Sequence, residues 1–231
     1  MPDWKFHIGV ADKMTALYDI KNVDCFKIGT LMPDVPWMEV GKAVQMGLRE
    51  YLHLSRKIED SYIHLADYEM WLHSHTWDVN HSDFWKGYLL HLILDNKINV
   101  MWQCACARIN VDTINIAVKG YSQSMSIAEA AHLKWNEERV YSCSQFGHLC
   151  DWNGPIINWK NVSPYVMDKL RNTWGLKDSD IGFMKGAIDM QVREPSNGDF
   201  YQVFSEGYYD NIVNAVISEC ISIFNMLDIL V

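Results

Sequence analysis

The stretch Gly87-Tyr-Leu-Leu-His91-Leu-Ile-Leu-Asp95-Asn96 decides how this chain is read. It reads as an apolar helix, capped by Ser82 or Asp83 and ending near Cys104. Within it His91 and Asp95 stand four residues apart, so both side chains leave the same face. An imidazole and a carboxylate on a greasy helix are expensive to bury unless something pairs with them. Two arrangements do so: a hydrogen bond between the two residues, or a divalent metal ion held by both.

Working outward from this helix, the pattern stays helical. Capping residues and three- and four-residue apolar spacing predict helices over about 9–18, 36–56, 181–192 and 208–230. Gly29-Thr-Leu-Met-Pro33-Asp34 reads as a turn-rich joint between the first two, and 58–73 as short helix or irregular chain. Ser126-Ile-Ala-Glu129 is a capping box opening a helix to about 145, and Ser163-Pro164 opens a short one with proline at its first position. Asp178 or Ser179 starts the next, a polar loop covers 193–199, and the last helix, apolar on most sides, should lie in the core. Only 105–124, with its Val, Ile and Thr, leans towards extended chain, as a lid, hairpin or crossover. Clean alternating patterns are scarce, and no repeat or linker divides the chain. The expected class is mostly α, a single-domain multi-helix bundle over 1–231.

Composition narrows the function. A chain of 231 residues with 49% hydrophobic content can bury a sizeable core. The formal net charge of -9 disfavours nucleic acid as a partner. Ten Trp, eleven Tyr and eight Phe suit a packed core and a ring-walled cleft alike. The six cysteines form no repeating framework and read as reduced thiols, and Cys104-Ala-Cys106 lacks the second pair of a zinc ribbon. The start carries no apolar leader and no stretch reaches about eighteen uncharged apolar residues, so no membrane span and a cytoplasmic location are expected.

Seven of the nine histidines, His7, His53, His64, His73, His75, His81 and His91, fall in the first 91 positions. Each has an ordinary reading as well as a metal-binding one. His7 follows a Trp-Lys-Phe run and fits an interfacial histidine; Asp34 after Pro33 fits a turn or cap. Glu129-Ala-Ala-His132 resembles half of a di-iron bundle motif, but such sites need two Glu-x-x-His pairs, which leaves a solvated helix face.

Taken together, His7, Ile28-Gly-Thr-Leu-Met-Pro33-Asp34, Ser61-Tyr-Ile-His64-Leu and the His91–Asp95 segment resemble the zinc-dependent phospholipase C family, especially its leaderless bacterial members. The resemblance covers roughly the first hundred residues. That superfamily, which includes zinc-dependent single-strand nucleases, implies an all-helical fold holding up to three zinc ions that hydrolyses phosphoesters. Carried over, Asp34, His64, His91 and Asp95 match one zinc centre and His7 with Asp95 a second, Asp95 bridging them. His53, His73, His75 and His81 compete with His64 for its place. The chain departs from the family at Met101, where a histidine is expected, and at Asn136, where an acid should follow His132 by four residues, with Glu137 one further on. A third centre is therefore expected to be altered or absent. Secreted relatives use the free amino end as a ligand, which here would require loss of Met1.

The chemistry is coherent apart from the resemblance. Imidazole nitrogens and carboxylate oxygens are zinc ligands, and bound zinc lowers the pKa of its water from about 15.7 towards about 7. Asp34 is the expected catalytic residue, as ligand, general base or both. The implied cofactor is zinc, one or two ions, with another divalent metal as the alternative. The implied partner is a small-molecule phosphoester. A rival reading is a helical binding or structural protein retaining a degenerate metal site.

Overall fold

Burial follows the His91 segment first. Every residue from Phe84 to Asp95 is buried, and a helix apolar on all sides has to sit at the centre of its domain. The computed structural model describes residues 4–34, 55–57, 64–106, 155–173, 175–193 and 206–229. Among them the elements are α1 (Trp4–Thr15), α2 (Val23–Leu31), β1 (Ser55–Lys57), β2 (His64–Ala66), α3 (Tyr68–His81), α4 (Asp83–Cys106), α5 (Pro164–Asp168), α6 (Asp178–Arg193) and α7 (Glu206–Ile229). A five-residue π-helical turn, Lys169–Thr173, continues α5. The mostly helical class expected from the sequence is what these residues form.

The central helix α4 is wrapped by α2, α3 and α7, with α1 against α2 and α6 against α1. Its buried Phe84, Leu89, Leu90, Leu92, Ile93 and Leu94 join Phe6, Ile8 and Val10 of α1, Phe26, Ile28 and Leu31 of α2, and Val213, Val216, Ile217 and Phe224 of α7 in one core. The ion pair of Lys27 with Asp12, at 2.7 Å, ties α2 to α1. Strands β1 and β2 form an antiparallel pair with Ser55 opposite Ala66 and Lys57 opposite His64.

Helix starts are set by local chemistry. Asn22 accepts from the Cys25 amide at the start of α2, and the Asn22 amide donates to the Asp83 carboxylate at 2.6 Å, so the starts of α2 and α4 are linked. Asp67 caps α3. Ser163 caps α5 with Pro164 at its first turn, as the sequence predicted.

Several expectations are corrected. The first helix begins at Trp4, not near residue 9, and ends at Thr15; burial of Trp4, Phe6 and His7 extends it backwards. The supposed joint at 29–34 is helical through Leu31 and becomes a single 3₁₀ turn only over 32–34. Gly29 there is a packing residue and not a breaker. Ser55 and Arg56, placed at the end of a helix over 36–56, lie in β1. The stretch 58–73 contains β2 and the beginning of α3, a helix whose extent to His81 was not anticipated. The last helix is amphipathic, not apolar on most sides: it buries the stripe Val213, Val216, Ile217, Cys220, Phe224 and Leu227, while Met226 and Ile229 are exposed. It meets the length and hydropathy of a membrane span over Asp210–Ile229, at a mean hydropathy of 1.6. The remainder of the 36–56 prediction, the capping-box helix at 126–145 and the ambiguous stretch beyond Cys106 lie outside the described residues.

Candidate metal centre

Two helices cross so closely that glycine is the only residue that fits at either contact. A Cβ on Gly29 would lie 1.9 Å from the Phe84 carbonyl oxygen, and one on Gly87 would lie 2.0 Å from that of Phe26. Both neighbours are main chain, so α2 and α4 pack backbone against backbone. Gly87, His91 and Asp95 follow at four-residue steps on α4, and this stripe therefore faces α2. The close crossing delivers the Thr30 carbonyl, in the last turn of α2 where carbonyls lack helical partners, to His91. The Nδ1–H of His91 donates to it at 2.8 Å.

That hydrogen bond fixes the imidazole tautomer. With its proton on Nδ1, a neutral His91 presents a bare lone pair at Nε2, and this atom stands 3.5 Å from Asp95 Oδ2. His7, one turn into α1, stacks on His91 with ring centroids 4.1 Å apart and planes 8° from parallel. Its Nε2 lies 3.4 Å from Asp95 Oδ1 and 3.9 Å from Asp34 Oδ2. Among the described residues neither ring nitrogen of His7 has a hydrogen-bond partner, although His7 and His91 are wholly buried and Asp34 and Asp95 are 4% exposed.

A proton or a metal ion has to stand between the Asp95 carboxylate and the two imidazoles. Burial pushes the Asp95 carboxyl up, but the charge of His91 and the two facing imidazoles outweigh this and hold it well below the usual carboxylate range. Protons alone would meet both contacts with one positive ring, because neutral His7 can donate from Nε2 to Asp95 whereas His91, its Nδ1–H given to Thr30, must take up a second proton in a wholly buried site. One divalent ion replaces both protons. The ligand atoms of His7, His91 and Asp95 all lie within 4.8 Å of one another. Zinc bonds of about 2.0–2.2 Å give a tetrahedral edge of roughly 3.3 Å, close to the separations of 3.4 and 3.5 Å observed. His7, His91 and Asp95 can hold a metal ion.

The remaining expected site residues fall as follows. Asp34 ends the 3₁₀ turn after α2 and puts its carboxylate beside His7. His64 opens β2, paired with Lys57. The competing histidines stand apart from the cluster: His75 stacks on Trp71 and its Nδ1 bonds the Trp71 carbonyl, and His81 stacks on Trp77 and bonds the Trp77 carbonyl. His73 is solvent-exposed. His53, His132, Asn136 and Glu137 lie outside the described residues, and Met101 lies on α4. Sequence reasoning missed the Thr30 carbonyl, which no side-chain pattern reveals, and the glycine pair that delivers it. A glycine within each of two apolar helical segments was the available signal.

No protein-family model, curated protein or solved structure matches this chain.

Proposed function

We propose that the protein is a metal-dependent hydrolase, zinc being the expected ion, that acts on a phosphoester. One observation carries the metal: the proton on His91 Nδ1 is committed to the Thr30 carbonyl, leaving Nε2 3.5 Å from a carboxylate oxygen with His7 stacked alongside. The chemistry of that donor set supports zinc over harder cations, which prefer all-oxygen sites. The phosphoester rests on the resemblance to the zinc-dependent phospholipase C family, which implies the same residue types in the same order.

In this reading His7, His91 and Asp95 hold the ion; His64 of β2 is a further ligand only by the resemblance. The Thr30 carbonyl orients His91 and raises its basicity as a ligand. Asp34, buried beside His7, is placed to take a proton from an attacking water or to complete the ligand set. A bound zinc ion supplies Lewis acidity at the phosphoryl group and a nucleophile active at neutral pH.

A second reading is favoured by the depth of the cluster. Four ligand-type residues at 0–4% exposure resemble a closed structural metal site, whereas catalytic sites keep an open position. The protein would then be a helical binding or structural protein. One experiment separates the two: zinc content after dialysis, followed by turnover of bis-p-nitrophenyl phosphate by the zinc-loaded protein. About one or two zinc ions per chain with saturable turnover that His91→Ala abolishes supports the hydrolase. Zinc without turnover on that and other phosphoesters supports the structural role, and no zinc even when it is supplied overturns both.

A further inference from the structure

A second group of unspent side chains gathers at the start of α4. Asp83 opens that helix and stands eight residues before His91, about 12 Å away along its axis. There the last turn of α3 meets the starts of α2, α4 and α5, and the junction leaves a cavity of about 300 Å³. That volume is at the lower end for a small-molecule site.

What the cavity can bind follows from what its lining has already given away. Asp83 is engaged by the Asn22 amide and by Lys86, and it answers the positive end of the α4 dipole. The Tyr165 ring carries the Lys169 ammonium 5.4 Å from its centroid, and the Tyr165 hydroxyl accepts from Trp85 Nε1 at 2.8 Å. His81 Nδ1 donates to the Trp77 carbonyl at 2.8 Å, so a neutral His81 keeps a bare lone pair at Nε2. The same imidazole stacks on Trp77 with centroids 4.3 Å apart, which holds the indole in place while leaving it 68% exposed. Asp78, next in the chain and half-buried, has no partner among the described residues. Nor does any Lys or Arg among them line the cavity. A carboxylate, a bare imidazole nitrogen and an indole face remain, and all three attract cations.

We propose that this cavity binds a small organic cation bearing N–H donors, with a guanidinium group the best fit. A guanidinium plane stacks on the Trp77 ring, gives two parallel N–H groups to the Asp78 carboxylate and has a further one for His81 Nε2. A quaternary ammonium has no proton for Asp78 or His81, and a metal ion makes no use of the indole. The net charge of -9 adds a field that draws cations to the surface. No residue of the metal centre takes part, so the site stands or falls apart from the hydrolase reading.

The test is isothermal titration of the full chain with butylguanidinium and with butylurea, which has nearly the same shape and no charge. Butylguanidinium should bind at about one per chain and at least about 10-fold more tightly than butylurea. Trp77→Ala should weaken it by about 2–30-fold, and Asp78→Asn, which keeps the shape and removes the charge, by about 10-fold or more. Trp77→Phe retains a ring face and should retain most of the binding. Zinc-free and zinc-loaded protein should bind alike. Equal affinity for butylurea, affinity unmoved by both the Trp77→Ala and Asp78→Asn changes, or no binding of butylguanidinium up to about 10 mM, overturns the proposal.

Discussion

Gly87→Ala is the substitution that tests most directly how the fold builds the centre. In an ordinary helix interior the change would stabilise by about 1 kcal/mol. Here the new Cβ starts 2.0 Å from the Phe26 carbonyl oxygen and 2.9 Å from the Thr30 nitrogen, both main-chain atoms. Reaching even 3.0 Å, the tightest separation a real Cβ tolerates, requires α2 and α4 to part by about 1 Å. Parting them by that much stretches the 2.8 Å bond from His91 to Thr30 to about 3.8 Å, beyond hydrogen-bond range. Overpacking costs about 1–3 kcal/mol, and a buried imidazole N–H left without its acceptor costs about as much again. Less the helix gain, the net is about 3 kcal/mol, or about 6–12 °C in melting temperature for a chain of this size. The assay is thermal unfolding by circular dichroism, with zinc affinity measured on the same samples. Gly186→Ala on α6 is the control, because nothing lies within 4 Å of its added Cβ; it should hold or raise the melting temperature. If Gly87→Ala matched that control in stability and bound zinc like the wild type, the close crossing would not be what delivers Thr30 to His91.

Three further outcomes follow from the same geometry. His91→Ala and Asp95→Ala should each strip the bound metal, measured as zinc per chain after dialysis, and lower the melting temperature, because each leaves its partners buried without compensation; undiminished zinc in both would remove these residues from the site. Zinc at about 100 times its dissociation constant should stabilise the chelator-treated protein by about 2.7 kcal/mol, seen as a rise in denaturation midpoint that is missing in His7→Ala. Burial raises the Glu219 carboxyl, but the Tyr68 hydroxyl and Lys97 outweigh it and hold it below its ordinary value of 4.5. Its folded pKa being the lower one, the stabilisation is present above about pH 4.5 and lost as pH falls through the folded value. Glu219→Gln should therefore be the less stable protein in urea titrations at pH 7, with the gap closing at more acidic pH; a gap independent of pH would refute the network.

What was legible in the sequence and what was not divide along a physical line. His91 and Asp95 could be read because a helix repeats every 3.6 residues and the repeat is local; the spacing alone puts both on one face. The cap at Ser163 is local in the same sense, its side-chain oxygen meeting an amide three residues on. His7 and Asp34 were named for their residue types and order, but no local rule says that α1 stacks the His7 ring on His91. That contact depends on α1 packing against α2, and α2 itself went unread because Gly29 followed by Pro33 has the composition of a turn. The reason it is a helix lies 55 residues away, where Phe84 occupies the space a Gly29 side chain would need. Gly29 and Gly87 thus look like breaks to a reader of propensities and are the means by which α2 and α4 touch. Asn96 was quoted as the end of the deciding stretch and passed over for a related reason: its side-chain amide pairs with the main chain of Ala66, which carries no sequence signal. The part of the site made of side chains on one helix is therefore written in the sequence. The part made by helices meeting, the Thr30 carbonyl above all, exists only once tertiary packing has overridden local preference, and it is this part that turns a polar pair in a core into a set of atoms able to hold an ion.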